Sequence, residues 1–394
     1  MKETFHHAAI AFAARNYQTP FYVFDTDILA GQIKKIRSVL GNDVELCYAM
    51  KANPFLIKSL EELVDSFEVC SPGEFIICEQ ANIPMKKIVM SGVHKNPGDV
   101  ERAVKEYGNN ILYTVESLSH WQTLMALAEK YRFPVRVLLR LTSGNQFGMD
   151  ESLIRTIIDN GPYESITIEG IQYFSGTQKK SASRLSKELS MLDALCRDLE
   201  DQYGFTVSKI EYGPGLPVCY FEDEQDEEDH MLESLSKAIK ELTFKGKITL
   251  EMGRLIAASC GSYVTRVVDM KTNKDQNYCI VDGGIHQLNY YGQMLAMKRP
   301  FIVHLGKKGG ERKEWTVCGS LCTVNDVLLK QYPFYHLAYG DALVFQKTGA
   351  YSVTEGMSLF LSRDLPLVLL YSEKQQFCRA RPSLPTDQLN YVQP

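Results

Sequence analysis

The sequence lacks any long apolar run, and no segment approaches the roughly 20 apolar residues that a membrane-spanning helix needs. It also lacks an excess of basic residues, since 43 lysines and arginines face 48 acids, for a formal net charge of −5. A chain with this balance and no basic stripe is poorly suited to bind nucleic acid. The N-terminus does not follow the plan of a secretory signal. We therefore expect a cytoplasmic protein without membrane or nucleic-acid partners.

Signatures of disulfide frameworks and zinc sites are also missing. The ten cysteines include no C-x-x-C pair and mostly lie in apolar segments, so they are interpreted as reduced core residues. No metal site is expected. What the chain does have is length, 394 residues, with 45% hydrophobic and 23% charged residues. This is an ordinary globular composition in a chain long enough for two domains, each with its own core.

Eight apolar strand candidates alternate with helix candidates as far as Gly261. The strand candidates are residues 44–48, 66–70, 87–90, 110–114, 135–141, 165–174, 209–212 and 248–251, and the clearest helix candidate is 185–203. This alternation is typical of a parallel (β/α)₈ barrel. After Gly261 the sequence becomes rich in β-type segments. We predict a TIM-like α/β barrel over residues 28–261 and a β-rich domain from residues 1–27 and 262–394, into which a strand around Phe21 pairs.

Lys51 lies in the segment YAMKAN, residues 48–53, directly after the first barrel strand. Lysine is seldom fully buried without a partner, and a desolvated lysine has a lowered pKa. A deprotonated amine in such a place is a nucleophile for an aldehyde. Taken alone, Lys51 is better explained as a lysine that reaches solvent, since most lysines after strands do.

Other strand ends carry chemistry that matches this amine. In a (β/α)₈ barrel the carboxyl ends of the strands face one mouth, so residues distant in sequence converge there. The loop Gly-Pro-Gly at 213–215 offers bare backbone N–H groups to a phosphate. The segment EMGR at 251–254 offers a carboxylate and a guanidinium. Each is also explained as a turn or a rim residue, but together they supply the amine, phosphate cradle and carboxylate that pyridoxal phosphate requires.

At this point the sequence resembles a known family, the fold-type III pyridoxal-phosphate decarboxylases, which include ornithine and diaminopimelate decarboxylases and have alanine racemases as relatives. The resemblance covers nearly the whole chain. Its motifs, in order, are TPFYVFD at 19–25, YAMKAN at 48–53, EVCSPGE at 68–74, SGTQ at 175–178, the glycine loop, EMGR at 251–254, VDGG at 281–284, CGSLC at 318–322 with Asp326, and GAY at 349–351. Their order and spacing are more specific than any one of them.

The resemblance implies the roles of individual residues. Lys51 corresponds to the catalytic amine that bonds the cofactor aldehyde, and Glu251 to the partner of the pyridine nitrogen. A carboxylate there favours decarboxylation, whereas the racemases have an arginine. Cys322, as proton donor, and Asp326, as a substrate-binding residue, correspond to a motif that enters the partner subunit's site, which implies a homodimer with shared sites. The remaining cofactor-binding positions are Arg140, Phe174, Thr177, Gly213, Gly215, Gly253, Arg254 and Tyr351.

Several positions depart from the ornithine and diaminopimelate pattern. Phe174 stands where these enzymes carry a histidine, and Thr323 stands where they carry the acid that takes the distal ammonium of the substrate. Pro214, Met252 and Gln172 are further departures. Without the acid, the main reason to bind a free diamino acid is lost. The pattern is similar to the branch that decarboxylates conjugated amino acids, such as a glutamyl group on a carrier protein in antibiotic biosynthesis or citryl-diaminopropionate in siderophore biosynthesis.

Three alternatives stay open on the sequence. One is a diaminopimelate- or ornithine-type decarboxylase that holds the distal group of a free diamino acid differently. A second, from a different class, is a cofactor-free binding protein, as the antizyme inhibitors are to ornithine decarboxylase. Racemisation is a third, but it needs a second base on the opposite face of the cofactor, and no tyrosine in a suitable motif is apparent.

Overall fold

The computed structural model describes residues 6–392, which form two compact units. The barrel unit comprises residues 33–218 and 227–255, and the β-rich unit comprises residues 6–32, 219–226 and 256–392. The domain limits at residues 28 and 261 stay a prediction. Within residues 6–392, no helix combines the length and the apolar character that a membrane crossing requires.

The strands follow one another from the N-terminal region to the end of the β-rich unit. They are β1 (Phe21–Asp25), β2 (Val44–Ala49), β3 (Ser66–Val69), β4 (Ile88–Met90), β5 (Leu112–Val115), β6 (Val135–Leu141), β7 (Ile166–Phe174), β8 (Lys209–Gly213), β9 (Lys247–Met252), β10 (Gly261–Asn273), β11 (Gln276–Val281), β12 (Ile302–Leu305), β13 (Arg312–Cys318), β14 (Val327–Tyr335), β15 (Ala342–Gln346), β16 (Leu367–Ser372) and β17 (Gln376–Arg381).

The α-helices fall mostly between the barrel strands. They are α1 (His7–Asn16), α2 (Thr26–Leu40), α3 (Ile57–Leu60), α4 (Pro72–Gln80), α5 (Pro97–Tyr107), α6 (Leu118–Tyr131), α7 (Glu151–Asp159), α8 (Ala182–Tyr203), α9 (Glu228–Lys240) and α10 (Arg254–Ala257). Short 3₁₀ turns fill several of the connections, including Met50–Ala52, which carries Lys51.

Strands β2 to β9 form a closed parallel barrel. Each strand pairs with the next, and β9 closes the ring by pairing with β2, with Glu251 beside Cys47. The strands are almost wholly buried because helices cover the outside and side chains fill the inside. The predicted (β/α)₈ barrel is confirmed, with strand ends that differ from the predicted ones by one or two residues.

Helix α8 matters for the site because it follows the loop after β7. The Oγ of Ser181 accepts the N–H of Arg184 and caps the N-terminus, and Gly204 ends the helix in the left-handed region at φ 62°. The helix therefore begins three residues before the predicted start at residue 185. Its buried face packs on the barrel through Leu185, Leu189, Leu192, Cys196 and Leu199.

The β-rich unit is built on a mixed sheet. Strand β1 runs antiparallel to β10 and parallel to β16, with Tyr22 beside Tyr263 and Val368. The path through the sheet is β14-β13-β11-β10-β1-β16-β17, and β15 adds to it by pairing with β10 and β12. The expectation that the strand around Phe21 pairs into the β-rich part of the chain is confirmed.

Candidate active site

The carboxyl ends of the barrel strands carry a ring of residues, most of them polar. In strand order from β2 to β9, the residues in or just beyond these ends include Lys51, Cys70, Ser91, Glu116, Arg140, Phe174, Gly213 and Glu251. All eight belong to the barrel unit. Because parallel strands end at the same face of a barrel, these side chains share one mouth.

The Lys51 amine lies between two carboxylates. Its Nζ is 2.6 Å from Oε2 of Glu68, at the end of β3, and 3.3 Å from Oε1 of Glu251, near the end of β9. The Cys70 sulfur lies 3.8 Å from the same nitrogen. The structure thus brings together the amine and the carboxylate that the sequence pairs across 200 residues, and it adds a second acid at shorter range.

The pKa values of the two carboxyl groups are shifted in opposite directions. Burial alone would raise the pKa of Glu68, but the charge of Lys51 and hydrogen bonds with Glu251 and Lys51 outweigh burial and hold that pKa well below its usual value. Burial raises the pKa of Glu251, and the negative charge of Glu68 raises it further. Glu68 is therefore the ionised partner of Lys51, while Glu251 holds its proton more readily than an ordinary glutamate.

Arg140 belongs to a second charged group at the mouth. Its Nη1 donates to Oε2 of Glu116 at 3.1 Å, and its guanidinium lies over the ring of Phe147, 4.9 Å from the centroid. The other Glu116 oxygen is 3.8 Å from Nζ of Lys95. Burial lowers the pKa of Lys95 to about 8, against the opposing effect of Glu116. Among the described residues, the buried Nε of Arg140 has no hydrogen-bond partner, so this group can still donate to an anionic oxygen.

Thr177, Gly215 and Arg254 lie close together on another side of the mouth. Nε of Arg254 donates to Oγ1 of Thr177 at 3.4 Å. Gly215 has a φ of 58°, and a Cβ atom at this position would collide with the carbonyl oxygen of Gly176. A bare backbone is therefore required where the loops after β7 and β8 meet. Gly253 is similarly close to the Lys51 segment, because a Cβ there would lie 2.8 Å from the Cβ of Ala52.

Phe174 and Gly213, at the ends of β7 and β8, pack directly on each other. A Cβ atom on Gly213 would lie 2.5 Å from the Phe174 ring, so the glycine makes room for this aromatic side chain. Deeper in the barrel, Nε2 of Gln172 donates to Oε1 of Glu211 at 2.6 Å. Burial raises the pKa of Glu211 to about 7.

Three predicted site residues belong to the β-rich unit. Cys322 is exposed. Asp326 is 2% exposed, and Oδ1 and Oδ2 accept the backbone N–H groups of Ile285 and Leu321 at 2.9 and 2.8 Å. Tyr351 is half-buried and has a left-handed φ of 69°. A substrate contact to Asp326 would have to compete with its backbone donors. The roles of all three residues stay predictions.

Sequence reasoning did not single out Glu68, Glu116 or Glu211. A usable signal exists for each of them, because an acid within or directly after a buried strand needs a partner that the strand itself cannot supply. Glu68 and Glu211 interrupt the apolar strands SFEV and KIEYG, and Glu116 directly follows LYTV.

Comparison with known proteins identifies the family to which this chain belongs. The family described as "Pyridoxal-dependent decarboxylase, pyridoxal binding domain" matches residues 27–258, more than half of the chain. The chain belongs to the pyridoxal-dependent decarboxylases. It is an amino acid decarboxylase of fold type III, and its cofactor is pyridoxal phosphate.

The most similar relatives include enzymes of different specificity. The L-glutamyl-[BtrI acyl-carrier protein] decarboxylase of Niallia circulans is 27% identical, over 92% of this chain and 91% of the relative. The 2-[(L-alanin-3-ylcarbamoyl)methyl]-2-hydroxybutanedioate decarboxylase of Staphylococcus aureus is 25% identical, over 92% and 96%. The diaminopimelate decarboxylase of Aquifex aeolicus is 27% identical, over 86% and 83%.

Solved structures agree on the fold. The diaminopimelate decarboxylase from M. jannaschii in complex with L-lysine superposes with a TM-score of 0.85 at 22% identity, covering 98% of this chain and 94% of the other. At this level of identity the likeness extends to the barrel and the β-rich domain rather than to the substrate.

The residues of the mouth fit the cofactor. Lys51 offers an amine for its aldehyde, Glu251 a carboxyl group for its pyridine nitrogen, and the unpaired Nε of Arg140 a donor for its phenolic oxygen. Thr177 and Arg254 lie beside a close-packed glycine backbone suited to a phosphate.

Proposed function

We propose that this decarboxylase removes the α-carboxylate of an amino acid that is part of a larger conjugate, in a specialised biosynthetic pathway of the antibiotic or siderophore type. The observation that carries the proposal is the composition of the loop at residues 319–326, between β13 and β14. Thr323 replaces the acid that would hold a distal ammonium, and the loop's only acid, Asp326, is buried and bonded to backbone N–H groups. A free diamino acid therefore finds no exposed carboxylate on this loop.

Two of the similar relatives point in the same direction. One is named for a glutamyl group on an acyl-carrier protein and the other for a substituted hydroxybutanedioate, and both are similar to this chain over 92% of its length. In both names the amino acid is attached to something larger. Phe174 supports the same assignment, because an aromatic side chain stacks without carrying the charge or hydrogen bonds of a histidine.

In the proposed reaction the residues of the barrel hold the reactants. Bound pyridoxal phosphate supplies a ring that accepts the electron pair left when the bond from Cα to the carboxylate breaks. Lys51 would hold the aldehyde and release it to the substrate amine, while Glu251 would keep a proton at the pyridine nitrogen. Arg140 would donate to the phenolic oxygen. Thr177, Arg254 and the backbone of Gly213, Gly215 and Gly253, with Tyr351, would hold the phosphate.

Cys322 would return a proton to Cα after carbon dioxide leaves. Its thiol is exposed, and thiols exchange protons readily near neutral pH. We propose that this residue acts in the site of a partner subunit, so that the enzyme is a homodimer with shared sites. Mixing Lys51→Ala protomers with Cys322→Ala protomers should then restore activity that neither variant has alone. Failure of mixed dimers to recover activity would argue against shared sites.

A second candidate is a decarboxylase of free diamino acids. It is favoured by the 27% identity to a diaminopimelate decarboxylase, and it requires that the distal ammonium be held by a group other than residue 323. The cofactor-free binding protein is set aside because the chain belongs to a family of enzymes and Lys51, Glu251 and Arg254 are all present.

A substrate panel separates the two candidates. Carbon dioxide release is measured with diaminopimelate, ornithine and lysine, and with glutamate carried as a pantetheine thioester and citryl-diaminopropionate. We expect turnover of a conjugate and little or none of the free diamino acids. Thr323→Asp should raise activity toward a free diamino acid, whereas Val324→Asp, at the neighbouring position that is 91% exposed, should not. Efficient turnover of diaminopimelate by the unmodified enzyme would overturn the proposal.

A further inference from the structure

The carboxylate of Glu188, on α8, is 8% exposed and accepts hydrogen bonds from four side chains. Oε1 accepts from Oγ of Ser175 at 2.5 Å and from Nε of Arg184 at 2.9 Å. Oε2 accepts from Nζ of Lys179 at 2.7 Å and from the hydroxyl of Tyr212 at 2.6 Å. The donors come from the loop after β7, from α8 itself and from β8, so one buried acid ties three elements together.

Those elements carry the residues assigned to the phosphate. Ser175 and Lys179 flank Thr177 in the loop after β7, and Tyr212 directly precedes Gly213. Disrupting Glu188 would therefore loosen both loops that form the cradle.

The two loops are also fastened to each other. The side-chain oxygen of Gln178 accepts the N–H of Val218 at 2.7 Å, and its amide nitrogen donates to the carbonyl of Val218 at 3.1 Å. The N–H of Lys179 donates to the carbonyl of Gly215 at 2.9 Å. The loops thus form one hydrogen-bonded assembly, and Glu188 anchors it to the long helix α8.

The charges of this network favour a phosphate. Burial alone would raise the pKa of Glu188, but the hydrogen bonds from Lys179, Ser175 and Tyr212 outweigh burial and hold that pKa below its usual value. Glu188 is therefore ionised at neutral pH and pairs with two basic side chains, Arg184 and Lys179, although burial lowers the pKa of Lys179. Arg254, beside Thr177, adds a further positive charge. A dianionic phosphate in the cradle meets an excess of positive charge despite the buried acid.

We propose that Glu188 is a positioning residue that preassembles the phosphate cradle of the cofactor without touching the cofactor itself. This inference rests on the proposed phosphate role of Thr177 and Gly215. Its specific consequence is that loss of the Glu188 carboxylate weakens only the part of cofactor affinity that depends on the phosphate. A purely structural role would instead weaken every ligand of the barrel alike.

The test compares pyridoxal phosphate with pyridoxal, which lacks the phosphate, as ligands of the apoenzyme in equilibrium titrations. We expect the wild-type protein to bind pyridoxal phosphate more tightly. Glu188→Gln should weaken binding of pyridoxal phosphate by about tenfold or more and change pyridoxal binding by less than about twofold. Tyr212→Phe removes one neutral hydrogen-bond donor. It should weaken the binding of pyridoxal phosphate by about threefold and leave the binding of pyridoxal nearly unchanged.

Glu200→Gln is the matched control, because Glu200 is an exposed acid on the same helix and should affect neither ligand. Equal losses for both ligands in Glu188→Gln, or no loss for pyridoxal phosphate, would overturn the positioning role. If Glu188→Gln does not fold, Tyr212→Phe decides by the same criterion. If the wild-type protein binds the two ligands equally, the phosphate role of Thr177 fails and the positioning role falls with it.

Discussion

The two ends of the barrel treat the carboxyl groups of Glu45 and Glu251 in opposite ways. At the amino ends of the strands, Glu45 accepts hydrogen bonds from Lys209, Lys247 and Thr249, each at 3.0 Å. Burial would raise the pKa of Glu45, but these partners outweigh it and lower the pKa to about 2. At the carboxyl ends, burial and the charge of Glu68 raise the pKa of Glu251.

The opposite pKa shifts of Glu45 and Glu251 indicate different roles, one in stability and one in chemistry. A carboxylate with a lowered pKa stabilises the fold in its ionised form, whereas a carboxyl with a raised pKa is destabilised when it ionises. Glu45 therefore uses its charge to hold strands together at the amino ends. At the carboxyl ends Glu68 is the ionised partner of Lys51, and Glu251 stores unfavourable electrostatics beside them. Perturbed groups of this kind cluster at functional sites because a ligand can relieve them.

The largest expected effect on activity comes from removing Lys51 at the carboxyl end of the barrel. Removal of Lys247 at the amino end is the comparison. Lys51→Ala should lower decarboxylase activity by more than about 10³-fold, because it removes the amine assigned to the cofactor aldehyde. Lys247→Ala, at the amino end, should leave activity within about twofold, since its side chain is 72% exposed and forms its ion pair with Glu45, away from the mouth. Carbon dioxide release by the two purified variants measures both. Comparable losses of activity in the two variants would contradict the proposed difference between the two ends.

Glu251→Gln is expected to lower the rate less than Lys51→Ala does, and to raise the stability of the protein without cofactor. The turnover number should fall by about 10²-fold, because a neutral amide holds the pyridine nitrogen less favourably than a carboxylate. The pKa of Glu251 is raised in the folded apoenzyme, so ionisation costs stability as pH rises above the unfolded value of 4.5. The variant should therefore gain stability relative to the wild-type apoenzyme between pH 6 and pH 9, as followed by urea unfolding. A loss of stability over that range would contradict the account.

The smallest effect is expected for Glu45→Gln. Its pKa is lowered from 4.5 to about 2, so its contribution to stability is fully present above the unfolded value and is lost as pH falls toward 2. The variant should unfold with a free energy about 1 to 2 kcal/mol lower at pH 7, after allowance for solvent screening, and the difference should shrink in acid. Activity should not change. Glu62→Gln, at an exposed acid of the same unit, serves as the control.

Much of the architecture follows from local sequence. The apolar strands with helices between them predict a parallel barrel, and a barrel brings strand ends together, so Lys51 and Glu251 could be paired without coordinates. Strand boundaries are harder to predict from sequence where a turn precedes the strand. The strand expected at residues 110–114 begins at Leu112 because Gly108–Asn110 forms a 3₁₀ turn.

Other parts of the site depend on tertiary contacts that the sequence does not reveal. Glu188 lies in a helix at a position that an amphipathic pattern assigns to the buried face, and its four donors become neighbours only after the barrel closes. The close contact between Phe174 and Gly213 likewise joins adjacent strands 39 residues apart in sequence. In each case the chemistry depends on register between strands rather than on a motif.

The central claim is that the Lys51 amine, beside Glu251, bonds the cofactor aldehyde. The most direct measurement is borohydride reduction of the holoenzyme followed by mass spectrometry of its peptides. The account predicts that the cofactor mass remains attached to the peptide that contains Lys51, and that Lys51→Ala carries no stable label. A label on another lysine in the wild-type protein, or a wild-type protein that cannot be labelled with pyridoxal phosphate, would contradict it.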